Sequence, residues 1–491
     1  MPSEAAPLDL RIAALLSAGL FEEAETEAET ATSTTPEHQR ARRLLDLANG
    51  AEPLSLYRDY LRGAAPSLND RVLLAEVARG RLERLLHDVV PFLARYRAIR
   101  WLGELRAARA LSSLARILSN EDVTPGVLLL RRAAAEALAA IGGRSAREAA
   151  EPFLQDEDPG VRRGVLSCMA SAPEDNDLHW ISRSLRLGST SERAGIATAI
   201  AKARYPNARA LLTSLLRDPA ESVCLAAARA IAQLGKGAVE VQSMARAFPA
   251  NPDPKTARLL GYLGGEGALE ALLYVLRGGE EGVAAASALA LGDLGDRSAA
   301  EALAEVAQSP QTLLAVAAIE ALELLGDGRV LSQLVPLLWE DDRRLAVVKA
   351  LGRIGGPGVQ PILLDLLVFA RGPQGDWRLL RGVVEALGSL GDSAAVPVLL
   401  SLLQGHEQRV HAAAAQALGR IGDPVATSAL LRALRDGDGD VREHAAHALC
   451  DIGDPAALPT LLALADDPNP ERQAAAAFVL GTFAQLDLPS F

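Results

Sequence analysis

The side chains best equipped for chemistry lie near the C-terminal end of the chain: Glu443, His444, His447 and Asp451, with His411 some way before them. His444 and His447 are three apart and Asp451 is four further on, so an α-helix would carry all three on one face. Imidazole beside carboxylate is a ligand set that zinc or iron accepts, and an ordinary polar helix face is the competing reading. Little else suggests a reaction. Seven His and three Met leave few groups for acid–base or redox work. No glycine loop follows a strand to cradle a phosphate, because no stretch reads as a strand. Cys168, Cys224 and Cys450 are spaced for neither a zinc motif nor a disulfide framework, which suits a reducing compartment.

The elements that would carry these groups are set by repetition. The heptapeptide Ala417-Leu418-Gly419-Arg420-Ile421-Gly422-Asp423 returns as Ala448-Leu449-Cys450-Asp451-Ile452-Gly453-Asp454 and as Ala386-Leu387-Gly388-Ser389-Leu390-Gly391-Asp392. Its second glycine marks a ruler at Gly142, Gly235, Gly264, Gly295, Gly326, Gly355, Gly391, Gly422 and Gly453, with most steps of 31 or 29 residues. Repetition at this period means stacked supersecondary units. Counted back from each mark, −4 is large and apolar, −5 is usually Ala, −1 is usually Leu or Ile and −8 is Ala, Val, Ile, Ser or Thr, and these offsets line one face of a helix. Position −3 is Gly, Ala or Cys except at Glu323, which suits close approach of another helix backbone. The marking glycine ends the helix in a left-handed conformation. The Asp that often follows can cap the next helix, with Pro424 and Pro455 at a first helical position. Each unit is helix A, a turn, and helix B.

The pattern Asp440-Val441-Arg442-x-x-Ala445-Ala446-x-Ala448-Leu449-x-x-Ile452-Gly453-Asp454 resembles the HEAT-like repeat named after the bilin lyases of phycobilisome assembly, over residues 82–491. The resemblance implies an all-α fold, an α-solenoid of stacked antiparallel helix pairs with helix B lining the concave side. Such repeats serve scaffolds, chaperone-like proteins and a few enzymes, so two functions follow. The first is a non-enzymatic scaffold or adaptor that binds a partner protein or peptide along the concave face. The second is a bilin lyase or phycobilisome-handling protein, a type that usually works as a pair of HEAT-like subunits. Deoxyhypusine hydroxylase is also built of such repeats and holds two irons with His-Glu pairs on several helices. Here the one adjacent His-Glu, His406-Glu407, falls in a turn, and the helical pair is reversed as Glu443-His444. No metal, cofactor or catalytic residue is therefore expected.

Helix B positions −6 and −2 face away from the core stripe and form the strip a partner would meet. They hold seven basic residues (Arg100, Lys202, Arg229, Arg258, Lys349, Arg353, Arg420) and six acidic ones (Glu104, Glu136, Asp293, Glu320, Glu385, Asp451) in a chain of net charge −12. Lys202, Arg229, Arg258 and Tyr262 form one basic stretch; Lys349, Arg353 and Arg420, with Glu385, form another. Arg and Tyr are residues that anchor protein interfaces. Two steps of the ruler, from Arg106 to Gly142 and from Gly355 to Gly391, are 36 residues long. The extra residues fall at 120–126 and 370–376, and the second loop would present Arg371 and Trp377 to a partner.

Residues 1–81 do not follow the ruler. Segments 8–16, 20–30, 38–48 and 54–61 read as helices, and Gly19-Leu20-Phe21-Glu22-Glu23-Ala24 resembles the helix junction of a tetratricopeptide unit. This region is expected to be a helical cap, because the end of a solenoid must be shielded. At the other end, Phe478, Val479, Leu480 and Phe483 precede no polar cap, so that end is expected to pair with another chain. The acidic balance argues against nucleic acid, no uncharged stretch is long enough to span a membrane, and a cytoplasmic protein is the expectation.

Overall fold

The apolar stripe becomes the buried face of one helix per repeat. In the helix Glu281–Leu294, Ser287, Ala290 and Leu291 are fully buried at offsets −8, −5 and −4. The computed structural model describes residues 70–483, apart from 123, 173–176, 203–207, 236–239 and 373–375, together with Ile12, Leu15, Ala24, Thr26, Glu27, Ala28 and Leu45. Among them every regular element is a helix and there is no strand. Apart from those seven positions, the expected helices before residue 62 and the tetratricopeptide-like junction lie outside the described residues.

Where an Asp follows the mark, helix A opens in a tight turn that this Asp caps. Asp296, Asp327, Asp392, Asp423 and Asp454 each accept a hydrogen bond from the backbone N–H two residues on. Helix B often has its own acidic cap, as where Asp438 accepts from the Val441 N–H and Asp253 from that of Thr256. The C-terminal carbonyls of helix A would otherwise lack partners, and an arginine early in helix B supplies them. Arg131 Nε reaches Leu118 O at 2.9 Å, Arg344 Nε reaches Leu338 O at 2.7 Å, and Arg442 Nε reaches Leu434 O at 3.0 Å. Arg442 also donates to Gly437 O at 2.7 Å. The arginine of the Asp440-Val441-Arg442 pattern thus ties the two helices of one repeat together.

Successive B helices meet at position −3. A Cβ on Gly292 would lie 2.8 Å from Ala321 Cα, and one on Gly388 would lie 2.6 Å from Ala417 Cα. The same pairing joins Gly103 to Ala137 and Gly419 to Ala448. Each −3 glycine therefore receives the −5 alanine of the next repeat, backbone against backbone. Glu323, the exception, turns its carboxylate to Arg353 Nη1 at 3.7 Å. Successive B helices thus form one tight layer.

The marking glycines take positive φ as expected, in two forms. Gly295 is left-handed at φ 77°, ψ 14°. Gly264 instead has φ 63° with ψ −157°, and Gly265 after it also has positive φ. The first mark is Arg106, which adopts φ 48° without being glycine.

The chain forms two compact units, one of residues 1–172 with 418–491 and the other of residues 173–417. In the first, the last helix, Pro470–Phe483, packs against Asp70–Arg84 and Phe92–Glu104. Trp101 stacks on Phe478 with ring centroids 5.0 Å apart, and Gly481 admits Leu105 and Ala78. Phe478, Val479, Leu480 and Phe483 are all buried. This corrects the expectation of a second chain at the C-terminal end: the apolar helix finds its cover within its own chain. An ionic clasp surrounds the contact. Arg97 sits beside Glu443 Oε2 at 3.2 Å, Glu471 Oε2 at 3.4 Å and Asp440 Oδ1 at 3.9 Å. Arg442 also reaches Glu471 at 2.6 Å, Arg100 reaches Glu443 at 3.0 Å, and Arg81 meets Asp466 at 2.7 Å.

Candidate protein-interaction face

Two neighbouring B helices of the second unit, Glu221–Leu234 and Pro254–Leu263, bring Arg229 and Tyr262 together across one repeat. The Arg229 guanidinium lies over the Tyr262 ring, 4.6 Å from its centroid, and donates to the Tyr262 hydroxyl. Asp293, on the next B helix, feels the charge of Arg229 and the nearby Tyr262 hydroxyl. The ring is buried while Arg229 stays exposed, so the pair presents a charged edge on an apolar base. Burial against the stack raises the Asp293 carboxyl above the usual carboxylate range, against the opposing pull of Arg229, Tyr262 and Arg258. Its outer edge is open to solvent. Arg258 completes the group and pairs with Glu221 Oε1 at 3.5 Å. An exposed cation–π contact contributes about 0.5–1 kcal/mol, which with the hydrogen bond to the hydroxyl biases the guanidinium toward this position. The result is an Arg229–Tyr262 pair with Arg258 and Asp293 on the same strip.

The other strip residues fall as follows. Lys202 ends the helix Thr190–Lys202, and its side chain lies outside the described residues. Lys349 and Arg353 are exposed on the helix Arg344–Ile354, Arg353 retaining 60% of its side-chain surface. Glu385 is taken by Arg381 of its own helix at 2.7 Å, which leaves it little capacity for a partner. Arg420 is exposed and belongs to the first unit, where its charge acts on Asp451. Leu324, on the same strip, is 44% exposed and adds an apolar contact. Asp293 stood in the strip without being singled out, and Glu221 lies in the first turn of its helix, off the strip offsets.

At the second long step, Trp377 begins the helix Trp377–Leu390 after the Asp376 cap. Its ring lies between the guanidinia of Arg378 and Arg409, each 5.4 Å from the centroid. Arg371 pairs with Glu407 at 3.1 Å. The loop residue is thus held by an ion pair, and the tryptophan is 38% exposed between two arginines.

The histidines go elsewhere than to a common ligand point. His444 Nδ1 is 2.8 Å from Asp440 O. His447 Nδ1 is 2.9 Å from Glu443 O, its Nε2 is 3.4 Å from Glu104, and its ring leans on Phe478. The hydrogen bond to Glu104 raises the His447 pKa, against the opposing effect of burial. Among the described residues no group of three or more His, Cys, Asp and Glu side chains is arranged for a metal ion. Cys168 and Cys450 are unpaired, and burial pushes each thiol up to about 12.

A repeating stack of paired helices defines an α-solenoid. The HEAT-repeat model matches residues 80–170, 269–346, 370–449 and 406–481, more than half of the chain. The chain belongs to the HEAT-repeat family. No curated protein sequence matches it. Among solved structures it is similar to the complex of CpcE and CpcF of phycocyanin lyase from Nostoc sp. PCC7120, at 21% identity over 46% of this chain and 94% of that one, TM-score 0.34. It is similar to human deoxyhypusine hydroxylase at 23% identity over 50% of this chain and 96% of that one, TM-score 0.24. Importin beta matches at 12% identity over 96% of this chain and 74% of that one, TM-score 0.38.

Proposed function

We propose that this chain is a non-enzymatic scaffold that binds an acidic segment of a partner protein along the inner strip of residues 173–417. The observation that carries this reading is the Arg229–Tyr262 contact with Arg258 beside it, an anchor of the type that concentrates binding energy. Glu385 is satisfied by Arg381 and Arg353 leans on Glu323 at 3.7 Å, so the excess charge of this stretch rests mainly on Lys349, with Arg353 still 60% exposed. Leu324 lies between the two basic groups in sequence and would take an apolar side chain of the partner. Arg371 and Trp377 form a second contact at the rim. In this reading the region 1–81 caps the array of residues 82–491. A cytoplasmic setting agrees with the unpaired cysteines, and no helix among the described residues is long and apolar enough to cross a membrane.

The test is cross-linking capture from native lysate with the full chain, repeated with Arg229→Glu, Arg258→Glu, Lys349→Glu and Arg353→Glu combined. All four side chains are surface groups, so the variant should fold with the same circular dichroism. A partner captured by the natural chain and lost with the variant supports the reading. A capture profile that does not change refutes it.

A further inference from the structure

The inner strip leaves unused a row of apolar side chains at the turns from helix A to helix B in the second unit. Trp339 ends the short helix Val335–Trp339 and is 73% exposed. Phe369, in the last turn of Val359–Ala370, is 43% exposed, with Val368 beside it at 71%. The 370–376 insertion lies between Phe369 and Trp377 in the chain. Arg344 links the row: it lies over the Phe369 ring, 5.7 Å from the centroid, and gives Nη2 to Trp339 O at 3.5 Å. Leu345, next to it, reaches the second turn of Trp377–Leu390, where a Cβ on Gly382 would lie 2.6 Å from its Cδ1. These side chains form one surface over two repeats, and contiguous exposed apolar surface marks interaction sites. Its charge differs at the two ends. Arg371 is answered by Glu407, and Arg344 by Asp341 at 2.6 Å. Arg378 and Arg409 lie over the Trp377 ring and have no ion-pair partner among the described residues. Asp376 spends an oxygen on the Arg378 N–H at 2.9 Å. Around Trp377, Arg371, Arg378 and Arg409 thus outnumber Asp376 and Glu407 by one. Around Trp339, Glu340, Asp341 and Asp342 outnumber Arg343 and Arg344 by one.

We propose that this surface docks a short segment of a partner protein that carries bulky apolar side chains and, at one end, a carboxylate. The apolar groups would cover Trp339, Val368 and Phe369 and gain by leaving water. The carboxylate would meet Arg378 and Arg409, whose guanidinia already rest on the Trp377 ring, so less freedom is lost on binding. Trp and Arg are the side chains in which binding energy concentrates. An anionic bilayer is the disfavoured occupant, because Glu340, Asp341 and Asp342 stand beside Trp339 and would repel it. The proposal rests on reading Trp377 as a partner contact, and it does not depend on the strip of Arg229 and Arg258.

The experiment selects a random dodecapeptide phage library on the full chain and titrates the enriched peptides, labelled with fluorescein, by anisotropy. They are titrated against the natural chain, Trp339→Ser with Phe369→Ser, Arg378→Glu with Arg409→Glu, and the strip variant Arg229→Glu, Arg258→Glu, Lys349→Glu, Arg353→Glu. One class of enriched peptides should combine Leu, Phe or Trp with Asp or Glu. Both rim variants should weaken that class by about tenfold or more, the effect of losing a central anchor, and the strip variant should leave it unchanged. If the Trp339 and Phe369 variant does not fold, Val368→Lys decides by the same criterion. Absence of such a class overturns the proposal, as does affinity unchanged by the rim variants. Peptides lost only with the strip variant overturn it and leave the reading of the strip standing. Binding to vesicles of equimolar phosphatidylserine and phosphatidylcholine that the rim variants abolish also overturns it, in favour of a membrane.

Discussion

Replacing Arg97 by Met tests the closure of the first unit on itself. The Arg97 side chain is 5% exposed and faces three carboxylates, so its charge is stabilised by them and by little water. Breaking a buried ion pair by removing one partner costs about 3–5 kcal/mol, because the remaining charge is stranded. Here the stranding is partial. Glu443 keeps Arg100 at 3.0 Å, Glu471 keeps Arg442 at 2.6 Å, and these two carboxylates retain 21% and 26% of their surface. Methionine also preserves the apolar stem of the side chain. The expected loss is therefore lower, about 2–3 kcal/mol, or about 30- to 150-fold in the opening equilibrium. Native-state hydrogen exchange reads it directly: amides of Pro470–Phe483 and Asp70–Arg84 should exchange faster by that factor, while those of Glu281–Leu294 should not change. Arg144→Ala is the control, since its pair with Glu148 leaves 82% and 62% of the two side chains exposed and should contribute almost nothing. Unchanged protection in both terminal helices of Arg97→Met would refute the idea that the clasp holds the closure.

His447 adds a pH dependence to the same contact. Its folded pKa is raised by Glu104, so its contribution is complete below the ordinary histidine range and fades as pH rises through the higher folded value; exchange of Pro470–Phe483, corrected for intrinsic rates, should show this and His447→Gln should abolish it. Asp158 behaves with the opposite sign. Its hydrogen bonds from Arg132 hold it at about 2, so its contribution is present above the usual carboxylate range and is lost as pH falls toward 2; acid titration of Asp158→Asn should lack that step. Gly292→Ala would press a Cβ to 2.8 Å from Ala321 Cα, and overpacking of about 1–3 kcal/mol should exceed the helix-propensity gain of about 1, lowering the denaturation midpoint. Arg106→Gly should raise stability by up to about 1 kcal/mol in the same assay, because the left-handed backbone at φ 48° disfavours a side chain.

The repeat was legible because its marks are local. A glycine ending one helix and an aspartate capping the next declare themselves within a few residues, and Gly295 with Asp296 does both tasks in the structure. Even the small residue at position −3 announced a close neighbour, and Gly292 against Ala321 is that neighbour. Arg229 and Tyr262 were also readable, since their offsets place them one repeat apart on the same strip. Two things were not readable. The use of Arg442 depends on carbonyls at the end of helix A, a relation between helices that neither periodicity nor charge encodes. The clasp joins Arg97 to Glu443 across 346 residues, and one arginine among many carries no label for so distant a partner.

The closure follows from the same physics as the repeat. A helix with Phe478, Val479, Leu480 and Phe483 along it cannot stay in water, and a solenoid supplies only one neighbour to its final helix. A polar cap would solve the problem by substitution. This chain solves it by supplying Asp70–Arg84 and Phe92–Glu104 as the missing neighbours, with Leu105 and Ala78 entering over Gly481. The apolar surface specifies that something must cover the end, but little about which register the cover takes. Charge supplies the register: Arg97, Arg100 and Arg81 each meet acidic residues of the C-terminal repeats, and a shift by one helical turn would separate all three pairs together. The clasp therefore acts mainly in choosing one alignment among several apolar ones, the role in which buried ion pairs are best attested. Conservative replacement separates that role from simple adhesion. Arg97→Lys, which keeps a positive charge among Glu443, Glu471 and Asp440, should retain part of the protection that Arg97→Met removes, whereas a purely apolar closure would be indifferent to the charge.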